Sequence, residues 1–210
     1  MNLITTNDLD RLATAAMRRQ GEGLEEYFAC AWLRAFCDDW QAPAWYPMHA
    51  FLFLVARHLA PQVMVELGGE VGRGMCSLYL GCHEADVVGV DTGESEHVRG
   101  VLTANAQSSG SLSSGVWSLH RCYSRDFARQ NAALRIGLLH VDSEHTYETT
   151  DLEYRLYRPM MERGGVMLFD DALTLPVRRA IDENFDGTRD QIYWHEALHP
   201  GQGYAAVICG

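Results

Sequence analysis

The stretch LLHVDSEHTYETTDLEY, residues 138–154, joins an apolar run to a dense group of ionisable side chains. The apolar run ends at Asp142, and Glu144 and His145 follow within three residues. Burying a carboxylate is costly unless a hydrogen bond, an opposite charge or a metal ion compensates it. A core strand that ends in acids has therefore reached either water or a ligand, and the rest of the chain must decide between the two.

Four more short β-rich runs flank this stretch: VMVEL (63–67), DVVGVD (86–91), VWSLHR (116–121) and GVMLFDD (165–171). Their apolar residues are continuous rather than alternating, which is typical of parallel strands covered on both faces. Helix-length segments separate them, and QIYWHEAL and GYAAVICG predict a closing antiparallel hairpin around a Pro-Gly turn. The pattern predicts a doubly wound α/β fold with a mostly parallel, seven-stranded sheet.

The first sixty residues have a helical pattern. Three helices are predicted there: 8–20 with Thr6 or Asn7 as its N-cap, 24–39, and about 47–59. We therefore expect a helical region over residues 1–60, followed by an α/β domain over residues 61–210.

Composition limits the possible partners. The formal net charge is −11, which disfavours binding to nucleic acid or anionic lipid. No apolar run approaches the roughly 20 residues that span a bilayer, and the first residues lack a signal-peptide pattern, so we expect a cytoplasmic protein. The six cysteines include no C-x-x-C pair and are expected to be reduced core residues. All 17 basic residues are arginine, which excludes a lysine base or Schiff base.

A glycine-rich turn, VELGGEVGRG (65–74), follows the first predicted strand, where open α/β sheets bind ligands. Its spacing does not match G-x-G-x-x-G. Glu66 in this turn could accept hydrogen bonds from an ammonium group, and Asp91 at the end of the second strand could hold ribose hydroxyls. The pair favours a nucleoside that carries a positive charge. The alternative is that Gly68 and Gly72 are turn residues and Asp91 is a helix cap.

Acidic residues end two of the predicted strands, Asp142 the fourth and the doublet Asp170-Asp171 the fifth. Parallel strands end at the same edge of a sheet, so these carboxylates could converge and would need a cation to offset their repulsion. Oxygen ligands suit Mg²⁺, with Mn²⁺ or Ca²⁺ possible. His145 could then remove a proton from a metal-activated hydroxyl. The alternative is that Asp142 and Asp170 cap the following helices and that His145 is a surface or packing residue.

The segments VELGGEVGRG, VVGVD, HRCYSRDF, LLHVDSEHTYE and RGGVMLFDDAL together resemble the metal-dependent class I S-adenosylmethionine methyltransferases. The resemblance covers about residues 61–210 and is strongest to the catechol O-methyltransferase-like and macrolide-sugar O-methyltransferase groups. It implies that residues 61–210 are an S-adenosylmethionine-binding catalytic domain and that residues 1–60 are an N-terminal helical cap. It implies a Rossmann-like sheet and methyl transfer from S-adenosylmethionine to a hydroxyl of a small natural-product, sugar or catechol-like molecule. A cephalosporin-hydroxylase-like enzyme on the same fold and a cofactor-binding protein without turnover are the alternatives.

The resemblance also assigns roles to individual residues. It places Glu66, Gly68, Gly69 and Gly72 at the methionine part of the cofactor, Asp91 at the ribose, Ser124 and Arg125 at the adenine, Asp142 at both cofactor and metal, and Asp170 and Asp171 at the metal. It makes His145 the general base, as in the macrolide-sugar group; the catechol group has a lysine there. The G-x-S of many relatives is replaced by Gly72-Arg73-Gly74, and Ser77 could compensate for the missing hydroxyl.

A competing motif lies near the end of the sequence. His195-Glu196-Ala197-Leu198-His199 fits the H-E-x-x-H signature of zinc metalloproteases, which requires a helix. Pro200 and Gly201 follow at once, so the more ordinary interpretation is a hairpin whose polar tip borders the active site. The aromatic residues before the first strand could form an acceptor pocket, a homodimer interface or simply core: Trp32, Trp40, Trp45, Tyr46 and Phe51. We predict a homodimer.

Overall fold

The computed structural model of the chain describes residues 1–21, 23–29, 46–69, 72–93, 117–199 and 201–210. The second half of the helix predicted over residues 24–39 lies outside the described residues, as do Trp32, Trp40 and Trp45 and the side chain of Tyr46.

The described residues form seven helices and seven strands. The helices are α1 (Thr6–Arg18), α2 (Leu24–Ala29), α3 (Tyr46–Leu59), α4 (Arg73–Gly81), α5 (Ser124–Gln130), α6 (Tyr147–Tyr157) and α7 (Leu175–Asn184), and a 3₁₀ turn covers Arg158–Met160. The strands are β1 (Val63–Leu67), β2 (Asp86–Asp91), β3 (Trp117–Arg121), β4 (Ile136–Val141), β5 (Met161–Asp170), β6 (Gln191–His195) and β7 (Tyr204–Ile208).

The strands form one sheet in the order β3-β2-β1-β4-β5-β7-β6. The pairs among β1 to β5 are parallel, and β7 is antiparallel to both β5 and β6. The predicted doubly wound, mostly parallel sheet is therefore confirmed. Strand order reverses between β1 and β4, the position at which such sheets bind ligands.

Two apolar layers cover the sheet because adjacent residues of each strand point to opposite faces. Leu138 packs in a cluster with residues of α1, α3 and α4, whereas Leu139 packs in a second cluster with residues of α5, α6 and α7. All six residues of β4 are buried, as the continuous apolar pattern predicted. The helices before residue 60 thus share a core with one face of the sheet, and their role as a cap stays a prediction.

Several element boundaries differ from the prediction by a few residues, and two of the differences have a clear physical cause. The N-cap of α1 is Thr5, not Thr6 or Asn7, because Thr5 and Asp8 form a capping box: Thr5 Oγ1 accepts from Asp8 N at 3.2 Å, and Asp8 Oδ2 accepts from Thr5 N at 3.0 Å. Strand β5 begins at Met161 rather than at residue 165, because Met161 pairs with β4 before an irregularity in the register.

The carboxyl ends of the central strands lie side by side. Leu67 is the register partner of both Val90 and Val141, and Val141 is the partner of Phe169. Residues that follow these four positions therefore meet at one edge of the sheet. Within the described ranges, none of the helices has the length and apolarity needed to cross a membrane.

Candidate active site

A cavity of about 670 Å³ lies at this edge of the sheet, within the size range of small-molecule sites. Every predicted site residue except Gly72 lines it: Glu66, Gly68, Gly69, Asp91, Ser124, Arg125, Asp142, His145, Asp170 and Asp171. Gly72 is instead the left-handed residue before α4, with φ 78°, and its carbonyl accepts a hydrogen bond from Cys76 N at 3.0 Å. For Gly72 the geometry therefore favours the turn interpretation.

Position 68 must be glycine because the ends of β1 and β4 approach each other closely there. Its φ is +85°, and a Cβ built on it would lie 2.0 Å from the carbonyl oxygen of Asp142. A backbone hydrogen bond from Asp142 N to Leu67 O at 2.9 Å also joins the two ends, and Gly68 N donates to Val90 O of β2 at 2.9 Å. The glycine thus brings Asp142 against the turn that follows β1.

Glu66 is buried beneath the glycine turn and has partners on both carboxylate oxygens. Oε2 accepts from Met75 N at 2.6 Å, and Oε1 lies 2.9 Å from His140 Nδ1. Burial disfavours the charged form of His140, but the hydrogen bond and charge of Glu66 outweigh it and raise the pKa of the imidazole. Sequence analysis did not identify His140, although a histidine inside an apolar strand was the available signal.

The same pair explains why the glycine turn departs from the G-x-S pattern. A Cβ on Gly74 would lie 1.6 Å from Glu66 Oε1, so serine cannot occupy this position without displacing the buried carboxylate. Ser77 does not compensate, because its hydroxyl is fully buried, donates to Arg73 O at 3.0 Å and lies 3.0 Å from Tyr27 Oη.

The predicted nucleoside-side residues also line the cavity. Asp91 ends β2, and its Oδ1 accepts from Gly93 N at 2.6 Å. Ser124 and Arg125 begin α5, and the guanidinium of Arg125 lies 4.7 Å from the centre of the Tyr123 ring. These three predicted residues therefore line the cavity from two neighbouring segments.

The three aspartates and His145 meet at the end of β4 and β5. His145 Nδ1 lies 2.8 Å from Asp171 Oδ2, and His145 Nε2 lies 3.4 Å from Asp142 Oδ1. Ligand atoms of Asp142, His145 and Asp170 all lie within 4.8 Å of one another. The chain thus brings together the residues that the two strand ends predicted.

Asp142 and Asp170 do not cap the helices that follow them. The N-cap of α6 is Thr146, whose side chain accepts from Thr149 N, and the N-cap of α7 is Thr174. The capping alternative is therefore wrong for both aspartates.

The doublet shares one edge because of an unusual backbone conformation. Consecutive strand residues point to opposite faces, but Asp171 has φ 52°, which non-glycine residues seldom adopt. Thr174 holds this turn, since its amide and hydroxyl donate to Asp171 O at 2.9 and 2.7 Å. Such strained positions are frequent at functional sites.

Burial and mutual repulsion change the acidity of the cluster. Burial raises the pKa of Asp142 to about 6, although the hydrogen bond with His145 opposes the rise. Burial and then the charge of Asp170 raise the pKa of Asp171. The hydrogen bond with Asp142 raises the pKa of His145 against the effect of its own burial. Added positive charge would therefore stabilise the ionised carboxylates.

The donor set fits a small divalent cation. Carboxylate oxygens are the ligands preferred by Mg²⁺ and Ca²⁺. Asp171 is 5% exposed, and in the part of the chain that the structure describes its Oδ1 is buried without a hydrogen-bond partner. An acceptor left in this state within a carboxylate cluster is the arrangement that a bound cation would complete.

Among the lining residues that were not predicted as site residues, three bear directly on the site: Glu153, His199 and Gln202. Glu153, on α6, is buried and accepts from Ser143 Oγ at 2.7 Å. His199 and Gln202 follow β6 and contact the aspartate doublet. All three come from segments whose approach depends on tertiary packing rather than on a strand end.

The H-E-x-x-H motif is not helical. His195 ends β6, and residues 197–199 form a turn. His195 Nδ1 accepts from the amides of Ala197 and Leu198 at 3.2 and 3.1 Å, so it is engaged with the backbone of its own turn. The zinc-hydrolase interpretation therefore lacks the helix that it requires.

Comparison with known proteins identifies the family. The family profile described as a methyltransferase domain matches residues 65–172, just over half of the chain. The chain therefore belongs to the methyltransferase domain family, and the predicted class I S-adenosylmethionine-dependent methyltransferase is confirmed. No curated protein matches the chain.

Solved structures share the fold at low sequence identity. A TDP-rhamnose 3'-O-methyltransferase of calicheamicin biosynthesis is 20% identical, with 97% of this chain and 92% of that chain covered and a TM-score of 0.58. A methyltransferase from Podospora anserina bound to S-adenosylhomocysteine is 14% identical, with coverages of 100% and 98% and a TM-score of 0.59. An O-methyltransferase from Bacillus cereus in complex with S-adenosylhomocysteine is 11% identical, with coverages of 96% and 100% and a TM-score of 0.61.

Proposed function

We propose that the protein transfers the methyl group of S-adenosylmethionine to a hydroxyl of a small molecule and requires a divalent cation, with Mg²⁺ as the first candidate. The observation that carries the proposal is a pair of possible ligand groups that share Asp170, namely Asp142-His145-Asp170 and Asp170-Asp171-His199, in a cavity that the glycine turn also lines. The proposed cofactor site and the acidic cluster therefore share one cavity.

The cofactor would lie along the carboxyl ends of β1 and β2. Gly68 and Gly69 allow the backbone to approach the methionine part, and Glu66 lies buried beneath them. Asp91 would accept hydrogen bonds from ribose hydroxyls, and Ser124 with its neighbour Arg125 would border the adenine. S-adenosylmethionine supplies an electrophilic methyl group on a sulfonium.

Asp142, Asp170 and Asp171 would hold the cation. A bound divalent cation supplies positive charge that lowers the pKa of an acceptor hydroxyl and offsets the repulsion among the carboxylates. The three side chains come from two strands of one rigid sheet, so the site is largely formed before any ligand arrives.

His145 would act as the general base. Its side chain is 36% exposed and lies between Asp142 and Asp171, so it can reach a bound acceptor and return the proton to water. The acceptor O–H bond breaks and its proton moves to the imidazole. An oxygen lone pair forms the bond to the methyl carbon, and the electron pair of the broken C–S bond stays on sulfur.

The acceptor class is inferred from cavity size and fold likeness. A cavity of about 670 Å³ accommodates the cofactor with a small molecule beside it. One structural neighbour methylates TDP-rhamnose, which supports a sugar hydroxyl of a natural product as one acceptor class and leaves catechol-like hydroxyls as another. We also propose a cytoplasmic homodimer without nucleic-acid or membrane partners, in keeping with the net charge of −11.

Two measurements test this function. Calorimetric titration with S-adenosylhomocysteine, with and without Mg²⁺, should show binding, and a panel of sugar and catechol acceptors should reveal Mg²⁺-dependent methyl transfer. His145→Gln should keep cofactor binding and lose about 10²- to 10⁴-fold in rate, the usual contribution of a general base. Glu148→Gln, an exposed change on the next helix, is the matched control. Full transfer by His145→Gln would contradict the site assignment, and binding without transfer to any acceptor would favour a protein without turnover.

A further inference from the structure

The turn between β6 and β7, defined by residues 196–199 and 201–203 and called the β6–β7 turn, is built against the aspartate doublet. We propose that His199 and Gln202 of this turn are positioning residues that orient Asp170 and Asp171 for the divalent cation. The inference rests on the proposed function, because it concerns the same cation site.

Each carboxylate of the doublet has a nitrogen partner from the turn. His199 Nδ1 lies 2.8 Å from Asp170 Oδ1 and 3.3 Å from Asp171 Oδ1. Gln202 Nε2 donates to Asp171 Oδ2 at 2.8 Å. A carboxylate oxygen accepts hydrogen bonds, so this contact orients Asp170 when Nδ1 of His199 carries the proton.

The backbone fixes the turn to the same segment. Leu173 N donates to Gln202 O at 2.7 Å, and Ala172 N donates to Gly203 O at 3.3 Å. Gln202 N and Gly203 N both donate to His199 O, at 3.1 and 2.7 Å. The residues that follow the doublet are therefore bonded directly to the turn that carries the two side-chain donors.

His195 and Leu198 stabilise the conformation of the β6–β7 turn. His195 accepts two amides of the turn through Nδ1, and Leu198 is fully buried in the apolar core. A turn anchored at these points places the His199 ring with little freedom, and the ring is 13% exposed. The first histidine of the H-E-x-x-H motif thus shapes the loop, and the second contacts the cluster.

The N–H groups of His199 and Gln202 would offset the repulsion between the two carboxylates of the doublet. Two adjacent carboxylates repel each other and would turn apart unless N–H groups fix their orientation. Outer hydrogen bonds to metal-binding carboxylates commonly change metal affinity by about 10- to 100-fold. Among the described residues, Asp171 Oδ1 has no hydrogen-bond partner, whereas Oδ2 accepts from Gln202, so one oxygen of Asp171 is left to bind a cation.

The test measures Mn²⁺ binding to the whole protein by the electron paramagnetic resonance signal of free Mn²⁺. His199→Phe keeps a ring and removes the donor, and it should weaken Mn²⁺ binding by about 10- to 100-fold. His199→Gln keeps an N–H and should recover most of the affinity, and Glu196→Gln, exposed in the same turn, should bind as the wild type does. All variants should bind S-adenosylhomocysteine normally without metal.

Several results would overturn the inference. Equal Mn²⁺ affinity in His199→Phe and the wild type would exclude a positioning role while leaving the cation site intact. Loss of S-adenosylhomocysteine binding by both His199 variants would make the residue purely structural. A nitrogen hyperfine coupling to bound Mn²⁺ that disappears in His199→Gln would make it a direct ligand instead. A wild-type protein that binds no Mn²⁺ would overturn the proposed cation requirement and this inference together.

Discussion

Substituting Gly68 by alanine should disrupt the junction between the cofactor turn and the acid cluster. Two independent effects act at this position. The backbone has φ +85°, a conformation that L-residues with a side chain seldom adopt, and the new Cβ would lie 2.0 Å from the carbonyl oxygen of Asp142. Because that carbonyl oxygen is a backbone atom, the clash can be relieved only if the end of β4 moves.

Two other glycines separate these effects. Gly201 has φ +84°, and no atom of the described residues lies within 4 Å of the position that a new methyl group would take, so its substitution carries only the conformational cost, about 1–2 kcal/mol. Gly69 does not have a positive φ, and its nearest contact in the described part of the chain would be 3.7 Å away, so Gly69→Ala should be close to neutral. Gly68→Ala should cost the conformational term and an overpacking term of about 1–3 kcal/mol, a total of about 2–5 kcal/mol.

Urea unfolding of the three variants, compared at equal m-value, measures these differences. Gly68→Ala should also weaken cation and cofactor binding, because the displaced strand end carries Asp142, whereas Gly201→Ala should not weaken cofactor binding. A free energy of unfolding for Gly68→Ala that is no lower than that for Gly201→Ala would refute the close approach.

Three further predictions concern side chains around the site and the core. Gly74→Ala should abolish S-adenosylhomocysteine binding in a calorimetric titration, because its Cβ would lie 1.6 Å from Glu66 Oε1; wild-type affinity would contradict this. Burial raises the pKa of Glu153 above its ordinary 4.5. Keeping the carboxylate charged in the folded state therefore destabilises the protein once the pH is above that value. Glu153→Gln should unfold at a higher urea concentration than the wild type at pH 8, and this difference should disappear at pH 4. Arg158→Ala should lower the free energy of unfolding by about 2–3 kcal/mol, because it leaves the buried Asp190 carboxylate without its bidentate partner. Asp190→Asn together with Arg158→Ala should recover part of that loss, and equal stability of single and double variants would exclude the pair as the cause.

The sequence was informative about the fold because its central parallel strands are buried on both faces. Continuous apolar runs mark β1, β2, β4 and the second half of β5, whereas β3 is only partly buried. The acids and glycines that follow the central strands lie at their shared carboxyl edge. The N-cap of α1 was misplaced by one residue because Thr5, Thr6 and Asn7 are all good caps, and only the reciprocal bond with Asp8 selects Thr5.

The candidate site was predictable where it depends on strand ends and unpredictable where it depends on packing. Asp142 and Asp170 follow from topology alone, whereas Asp171 lies at the same edge because of its left-handed backbone conformation. His199 and Gln202 reach the doublet through an antiparallel hairpin, and no periodicity gives the distance between that turn and β5. The departure from G-x-S at Gly74 was visible in the sequence. Its cause was not, because the contact with the buried carboxylate of Glu66 depends on how α4 packs against β1.

Anomalous diffraction from a crystal grown with Mn²⁺ and S-adenosylhomocysteine tests the central claim most directly. One anomalous peak is expected, from an Mn²⁺ ion bound at about 2.0–2.3 Å by one carboxylate oxygen each from Asp142, Asp170 and Asp171. A peak bound by the doublet without Asp142, or no peak in this cavity at saturating Mn²⁺, would contradict it.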